Sequence, residues 1–182
     1  MTDSTSQPHA TSTSSSNSTH SAVAQLVSSV ADTLMQHGWM LTTAESCTGG
    51  LIAGHCTDLA GSSQWFERGF VTYSNEAKTD MLGVPAALIS RHGAVSEEVA
   101  KAMALGALHH SKADFSVAVT GIAGPSGGSE EKPVGTVWLA WAQKNPAQCI
   151  SVRKVFTGDR QSVRAATTAL ALNQLAVMVA SS

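Results

Sequence analysis

Residues 42–50 read TTAESCTGG, an extended run that passes within a few residues into a helix opened by paired glycines. A strand delivered straight to a helix start is the repeating step of an α/β chain, in which helices cover the faces of a central sheet. The junction also presents chemistry. It exposes Ser46 and Cys47 beside the N–H groups of Thr48, Gly49 and Gly50. A helix leaves its first N–H groups unpaired and able to hold an oxyanion or a phosphate. The plainer use of Ser46 is as an N-cap whose hydroxyl bonds the backbone two or three residues on.

Toward the N-terminus, Val23, Leu26, Val27, Val30 and Leu34 follow helical spacing from Ala22 to His37, and Gly38 is placed to close that helix. A short strand over Trp39–Ala44 then feeds the junction, and a second helix runs from about Thr48 to Leu59. Downstream, Gly69–Tyr73 is apolar and β-branched, which predicts a second strand, with Ser74 as N-cap of a short helix ending near Leu82. Pro85–Arg91 predicts another helical turn. Ser96, followed by Glu97 and Glu98, opens a helix reaching His110. Three extended runs follow, Phe115–Thr120, Gly135–Ala142 and Cys149–Phe156, before a final helix from Arg160 to Val179. The alternation predicts a three-layer α/β/α domain, and the closely spaced last three runs predict an antiparallel neighbour in its sheet.

At 182 residues and 43% hydrophobic content, the chain has the size and apolar share of one domain with a substantial core. Residues 1–20, MTDSTSQPHATSTSSSNSTH, carry no apolar stretch able to offset the entropy of ordering and are expected to form a disordered tail ahead of a domain over 21–182. That leader lacks the basic start and the roughly 7–15 residue apolar region of a secretory signal. No later run reaches the roughly 18 uninterrupted apolar residues of a membrane span. Eleven basic and 13 acidic residues give a net charge of −2 without basic blocks, which favours a small-molecule partner over nucleic acid. The three cysteines, Cys47, Cys56 and Cys149, match neither a CxxC pair nor a zinc knuckle and point to reduced thiols in a cytoplasmic protein. The seven histidines form no HExxH, and the adjacent His109 and His110 diverge on a helix, so no metal is expected.

Several residues outside the junction are candidates for chemistry. The link from Gly121 to Gly135, GIAGPSGGSEEKPVG, is longer than an ordinary connection of about 4–6 residues. Placed after the carboxyl end of a central strand, with Gly121 and Gly124 at its start, it reads as a ligand cradle or else as a mobile surface loop. The chain offers no well-placed His for a Ser/His/Asp arrangement, which leaves lysine as the base for Ser46. Lys78, early in the helix after strand two, would emerge at the same sheet edge as Ser46. A free lysine, pKa about 10.4, is neutral in roughly one molecule per thousand near pH 7.4, a cost of about 4 kcal/mol that burial and a helix start would reduce. Its alternative is a solvated lysine beside Glu76 or Asp80.

Tyr73, five residues before Lys78, would pass a proton or fix the lysine, or else pack on the strand. Asn75 would hold a substrate group or cap the helix. Arg160 places a cation where the helix dipole disfavours one, which suggests a bound phosphate at that helix start, or else an exposed side chain bridged by Asp159. Cys47 is a rival nucleophile, or a small buried apolar residue. Trp65 and Phe66 would stack on a heteroaromatic ring or fill core.

Together TTAESCTGG, DLAGSSQWFERGFVTYSNEAK, HGAVSEE, VTGIAGPSGGSEEKPVGTV and FTGDR make the chain resemble the CinA C-terminal-domain family, the nicotinamide-nucleotide amidases, over about Ala22–Val179. The resemblance implies a three-layer α/β/α fold with a mixed, mostly parallel five-stranded sheet. It further implies hydrolysis of the carboxamide of nicotinamide mononucleotide to nicotinic acid mononucleotide and ammonia, without cofactor or metal. On the matching motifs Ser46 is implied as nucleophile, Tyr73 and Lys78 as proton-handling partners and Arg160 as a substrate-binding group. A homo-oligomer is implied by analogy. Many members carry a further N-terminal domain for which this chain has no room, so a stand-alone enzyme is expected. A reading of another class is a non-catalytic nucleotide-binding or regulatory module.

Overall fold

The computed structural model describes residues 13–182. In chain order it holds α1 (Thr13–His37), β1 (Leu41–Glu45), α2 (Leu51–Thr57), a 3₁₀ turn (Ser62–Gln64), β2 (Phe66–Val71), α3 (Asn75–Leu82), α4 (Ala86–His92), α5 (Glu97–His109), β3 (Phe115–Gly121), β4 (Thr136–Gln143), β5 (Gln148–Val155) and α6 (Arg160–Ala180). The first twelve residues of the expected tail lie outside the described residues. The remainder departs from expectation, because Thr13–His20 continue α1. Extending a helix already held by tertiary packing is far cheaper than nucleating one, and Ser, Thr and Asn cost only a fraction of a kcal/mol per position relative to Ala.

The five strands form one sheet in the order β2-β1-β3-β4-β5. β1 pairs parallel with both β2 and β3. β4 pairs antiparallel with β3 and β5, so four strands point one way and β4 alone is reversed. Chain order explains the split: β1, β2 and β3 are separated by helices, whereas β3, β4 and β5 follow one another without any.

Helices segregate by face. Val23, Val27, Val30 and Leu34 of α1, Ile52 and Cys56 of α2 and Val163, Leu172 and Leu175 of α6 are buried against Leu41, Phe115, Val117, Val119, Leu139 and Trp141. The opposite face carries α3, α4 and α5 on much smaller side chains, Ala44, Ala118, Ala140 and Ala142. The alternation along β3 sets this difference, since Phe115, Val117 and Val119 face one way and Ser116, Ala118 and Thr120 the other. On the small-residue face Ser116 Oγ donates to the Ala104 carbonyl of α5 at 2.8 Å. Gly106 of α5 lies so close to the Leu82 carbonyl that a Cβ would not fit.

α6 is long and apolar enough to cross a bilayer by length and composition, yet Val163, Ala171, Leu172, Leu175, Met178 and Val179 on it are core residues of this domain. Trp141 on β4 donates its indole N–H to the Ala171 carbonyl of α6 at 2.9 Å, which satisfies its one polar atom in the interior. Trp65 is also core, and Phe66 packs partly buried against it.

Candidate active site

From β1 the chain crosses one face through α2 to reach β2; from β2 it returns over the other face through α3–α5 to β3 on the opposite side of β1. The carboxyl ends of β1 and β3 therefore flank a topological switch point, where open α/β sheets leave a crevice. Ser46 sits at that end of β1, and its N–H donates to the Val119 carbonyl at 3.0 Å, which continues the β1–β3 pairing through the residue. The turn that follows contains Gly49 at φ 61° and Gly50 at φ 96°, left-handed backbone that favours glycine. Two such residues delay the helix, so α2 begins at Leu51 rather than near Thr48.

Lys78 comes to this turn from α3. Ser74 caps that helix, its hydroxyl accepting from the Ala77 N–H at 3.0 Å, which leaves Asn75 free of the capping role. The Lys78 side chain is 1% exposed. Its Nζ lies 3.3 Å from Ser46 Oγ, and it donates to the carbonyls of Thr72 at 2.9 Å, Ser74 at 3.4 Å and Tyr73 at 3.5 Å. It forms no ion pair among the described residues, in place of the solvated lysine beside Glu76 or Asp80. Burial pushes the amine below the ordinary lysine range, with Cys47 and Glu76 pulling it partly back.

A cavity of about 210 Å³ gathers most of the candidates: Ser46, Lys78, Tyr73, Asn75, Gly121 and Arg160 line it, with Cys47, Ala94, Val95, Thr120 and Ala123 completing the walls, while Thr48, Gly49, Gly50 and Gly124 are not among them. Gly121 is required there because a Cβ would lie 2.7 Å from Val137 Cγ2 and 2.9 Å from the Thr136 carbonyl. Tyr73 lies just beyond β2, which spans Phe66–Val71 rather than Gly69–Tyr73, and its ring is exposed. Its hydroxyl accepts from Arg160 Nη2 at 3.0 Å, whereas its carbonyl, not its hydroxyl, meets Lys78. Arg160 Nη1 donates to the Gly124 carbonyl at 2.9 Å, so this guanidinium joins the tyrosine to the glycine-rich loop across the cavity. A second cavity of about 570 Å³, lined by Leu51, His55, Asp159, Arg160, Gln161, Arg164, Ala165 and Thr168, shares Arg160 with the first.

Two expectations about backbone donors change. Gly49 N–H donates to the Ser46 carbonyl at 3.1 Å and Gly50 N–H to Glu45 Oε2 at 3.0 Å, so these two donors are spent inside the turn. No oxygen among the described residues accepts from the N–H of Cys47 or Thr48. The start of α6 is likewise closed by its own cap. Asp159 Oδ1 accepts from Ser162 N at 2.8 Å, placing a carboxylate where a phosphate was expected, while Arg160 resolves its conflict with the dipole by reaching across to Gly124 and Tyr73. Cys47 is buried, and burial pushes its thiol up to about 11.

Sequence reasoning missed three residues that hold the site. Glu45 is buried against the start of α2. Arg164 Nη2 donates to the Thr48 carbonyl at 2.7 Å. Lys132 Nζ donates to the carbonyls of Val95 at 2.8 Å and His92 at 3.2 Å, pinning the long loop to the cavity wall. Only Glu45 carried a local signal, a carboxylate just ahead of a helix whose N-cap position is a glycine.

Comparison with known proteins identifies the family and the fold. The model of the CinA C-terminal domain matches residues 23–179. The chain is 55% identical over 157 residues to the nicotinamide-nucleotide amidohydrolase PncC of Escherichia coli strain K12, covering 86% of this chain and 94% of that protein. It is 51% identical over 153 residues to the protein of the same name from Pseudomonas putida, covering 84% and 94%. The crystal structure of the competence/damage inducible protein CihA from Agrobacterium tumefaciens superposes with a TM-score of 0.84 at 47% identity, covering 87% of this chain and 95% of that one.

Proposed function

Because the chain belongs to the CinA C-terminal-domain family, we propose that it is an amidohydrolase that converts nicotinamide mononucleotide to nicotinic acid mononucleotide and ammonia. The Escherichia coli and Pseudomonas putida relatives are named nicotinamide-nucleotide amidohydrolases and align over nearly their whole length. The observation that carries the reading is the buried Lys78 amine 3.3 Å from the Ser46 hydroxyl in a cavity at the switch point.

Neutral Lys78 has two N–H groups to share among the carbonyls of Thr72, Tyr73 and Ser74 and keeps a lone pair for the Ser46 proton. As Oγ attacks the carboxamide carbon, the proton passes to Lys78, and the oxyanion is received by the N–H of Cys47, the residue after the nucleophile, with that of Thr48 beside it. Tyr73 accepts from Arg160, so its own phenolic proton remains available to the departing nitrogen. Ammonia leaves and an acyl ester on Ser46 remains; Lys78 then passes the serine proton, through solvent, to the Tyr73 phenolate and, neutral again, takes a proton from the water that releases the acid and returns it to Ser46 Oγ. The pyridine carboxamide occupies the smaller cavity and the ribose phosphate extends past Arg160 into the larger one, where Arg160 and Arg164 supply positive charge. Anchoring the phosphate away from the reacting bond converts binding energy into orientation.

Ammonia release from the mononucleotide by purified protein tests the assignment. Ser46→Ala is expected to lower turnover by about a thousandfold or more while still binding the nucleotide. A variant that deamidates at a rate near that of the parent would reject Ser46 as nucleophile. A parent protein that binds the mononucleotide without releasing ammonia would favour a regulatory module.

A further inference from the structure

Glu45 is 1% exposed and belongs to no ion pair among the described residues. Its Oε2 accepts from Gly50 N at 3.0 Å and Ile52 N at 3.1 Å, and its Oε1 accepts from Ala53 N at 2.8 Å. A buried carboxylate is unfavourable unless donors replace its water, and three backbone N–H groups do so here. The residue at the start of α2 is Gly50, which brings no capping side chain, so the carboxylate from the end of β1 takes that place.

We infer that Glu45 is a positioning residue for Ser46: its carboxylate ties the exit of the 46–50 turn back to the strand that enters it. The geometry of the turn leaves few other ties. Ser46 N–H is fixed to Val119, Gly49 N–H closes on the Ser46 carbonyl, and Arg164 holds the Thr48 carbonyl. Without the carboxylate, nothing else among the described residues accepts from Gly50. The turn would then be free to shift Ser46 Oγ from Lys78 Nζ, and the helix-start N–H groups would compete with those of Cys47 and Thr48 for the charge developing on the substrate. Glutamine cannot substitute. Two separate oxygens are used, and an amide turns one of them into a donor facing an N–H.

The inference rests on Ser46 being the nucleophile and is tested without relying on the substrate. Labelling of Ser46 by a small alkyl fluorophosphonate, followed by mass spectrometry of the intact protein, is compared for the parent, Glu45→Gln and Glu45→Asp. Val27→Ala, a core variant remote from the site, sets the effect of destabilisation alone. The expected result is labelling slowed about tenfold or more in Glu45→Gln and less in Glu45→Asp, with Val27→Ala at the parent rate. Where deamidation is measured, kcat falls with KM within about threefold. Folded Glu45→Gln that labels at the parent rate overturns the inference, as does slowing equal to that of Val27→Ala at matched loss of Tm. A parent protein that labels at Ser46 but releases no ammonia would reject the substrate assignment and leave the role of Glu45 standing.

Discussion

Under the proposed mechanism, Lys78 decides how the site responds to pH. A base must be neutral to take the Ser46 proton, so activity is lost as pH falls through the lysine pKa and is retained above it. Burial lowers that pKa from the free-lysine value of about 10.4. The expected kcat/KM profile therefore has an acid limb centred below the ordinary lysine range, and a limb centred at or above that range would contradict the assignment. Lys78→Arg, which keeps a cation that does not deprotonate, is expected to reduce kcat by about 10²–10⁴-fold, with the fold checked by circular dichroism. Cys47 gives the opposite expectation. A buried thiol pushed up to about 11 is almost wholly protonated near neutrality, so Cys47→Ala should keep kcat within about threefold of the parent and lose about 1 kcal/mol of stability or less. A hundredfold loss of kcat with the fold intact would reopen the thiol route. Ser46 and Cys47 were legible as residue types at a strand-to-helix turn, and Lys78 as one early in the helix after the second strand. The pairing of Tyr73 with Arg160, 87 positions apart, was not, because nothing local in either segment encodes the other.

Among the elements, the loop between β3 and β4 has a definite anchor. Lys132 reaches from it to the carbonyls that end α4 and precede α5, the same segment whose Ala94 and Val95 wall the cavity. Lys132→Met removes both donors and should loosen residues 122–134 without unfolding the domain. Amide exchange in the loop is expected to rise while Tm moves by only a few degrees, and KM to increase more than kcat falls. Unchanged exchange would mean the loop is held by its other contacts. Helix starts were the best-read features of the sequence, since Ser74 and Ser96 each cap the helix predicted to follow. Boundaries near the site were read less well. α2 starts three residues late because two left-handed glycines and the Glu45 carboxylate occupy its predicted first turn, and β2 starts three residues early because Phe66 pairs beside Leu41.

For the molecule as a whole, the unequal faces of the sheet place most large apolar contacts under α1 and α6. Leu172 is fully buried there, and Leu172→Ala is expected to cost about 2–5 kcal/mol, read as a lower urea midpoint at unchanged m-value; a loss under about 1 kcal/mol would show that the layer repacks. The layered plan followed from the alternation of strands and helices, and the reversed β4 from the missing helices around it. The register of five strands and the segregation of small side chains to one face emerge only when the strands are paired. One further property belongs to the chain in its entirety: it contains a single tyrosine, and that phenol stands exposed at the mouth of the cavity against Arg160. Isotope enrichment of tyrosine alone would thus yield one ring spectrum from all 182 residues, a reporter that nature has installed at the doorway and that registers an arriving guest without any engineered label.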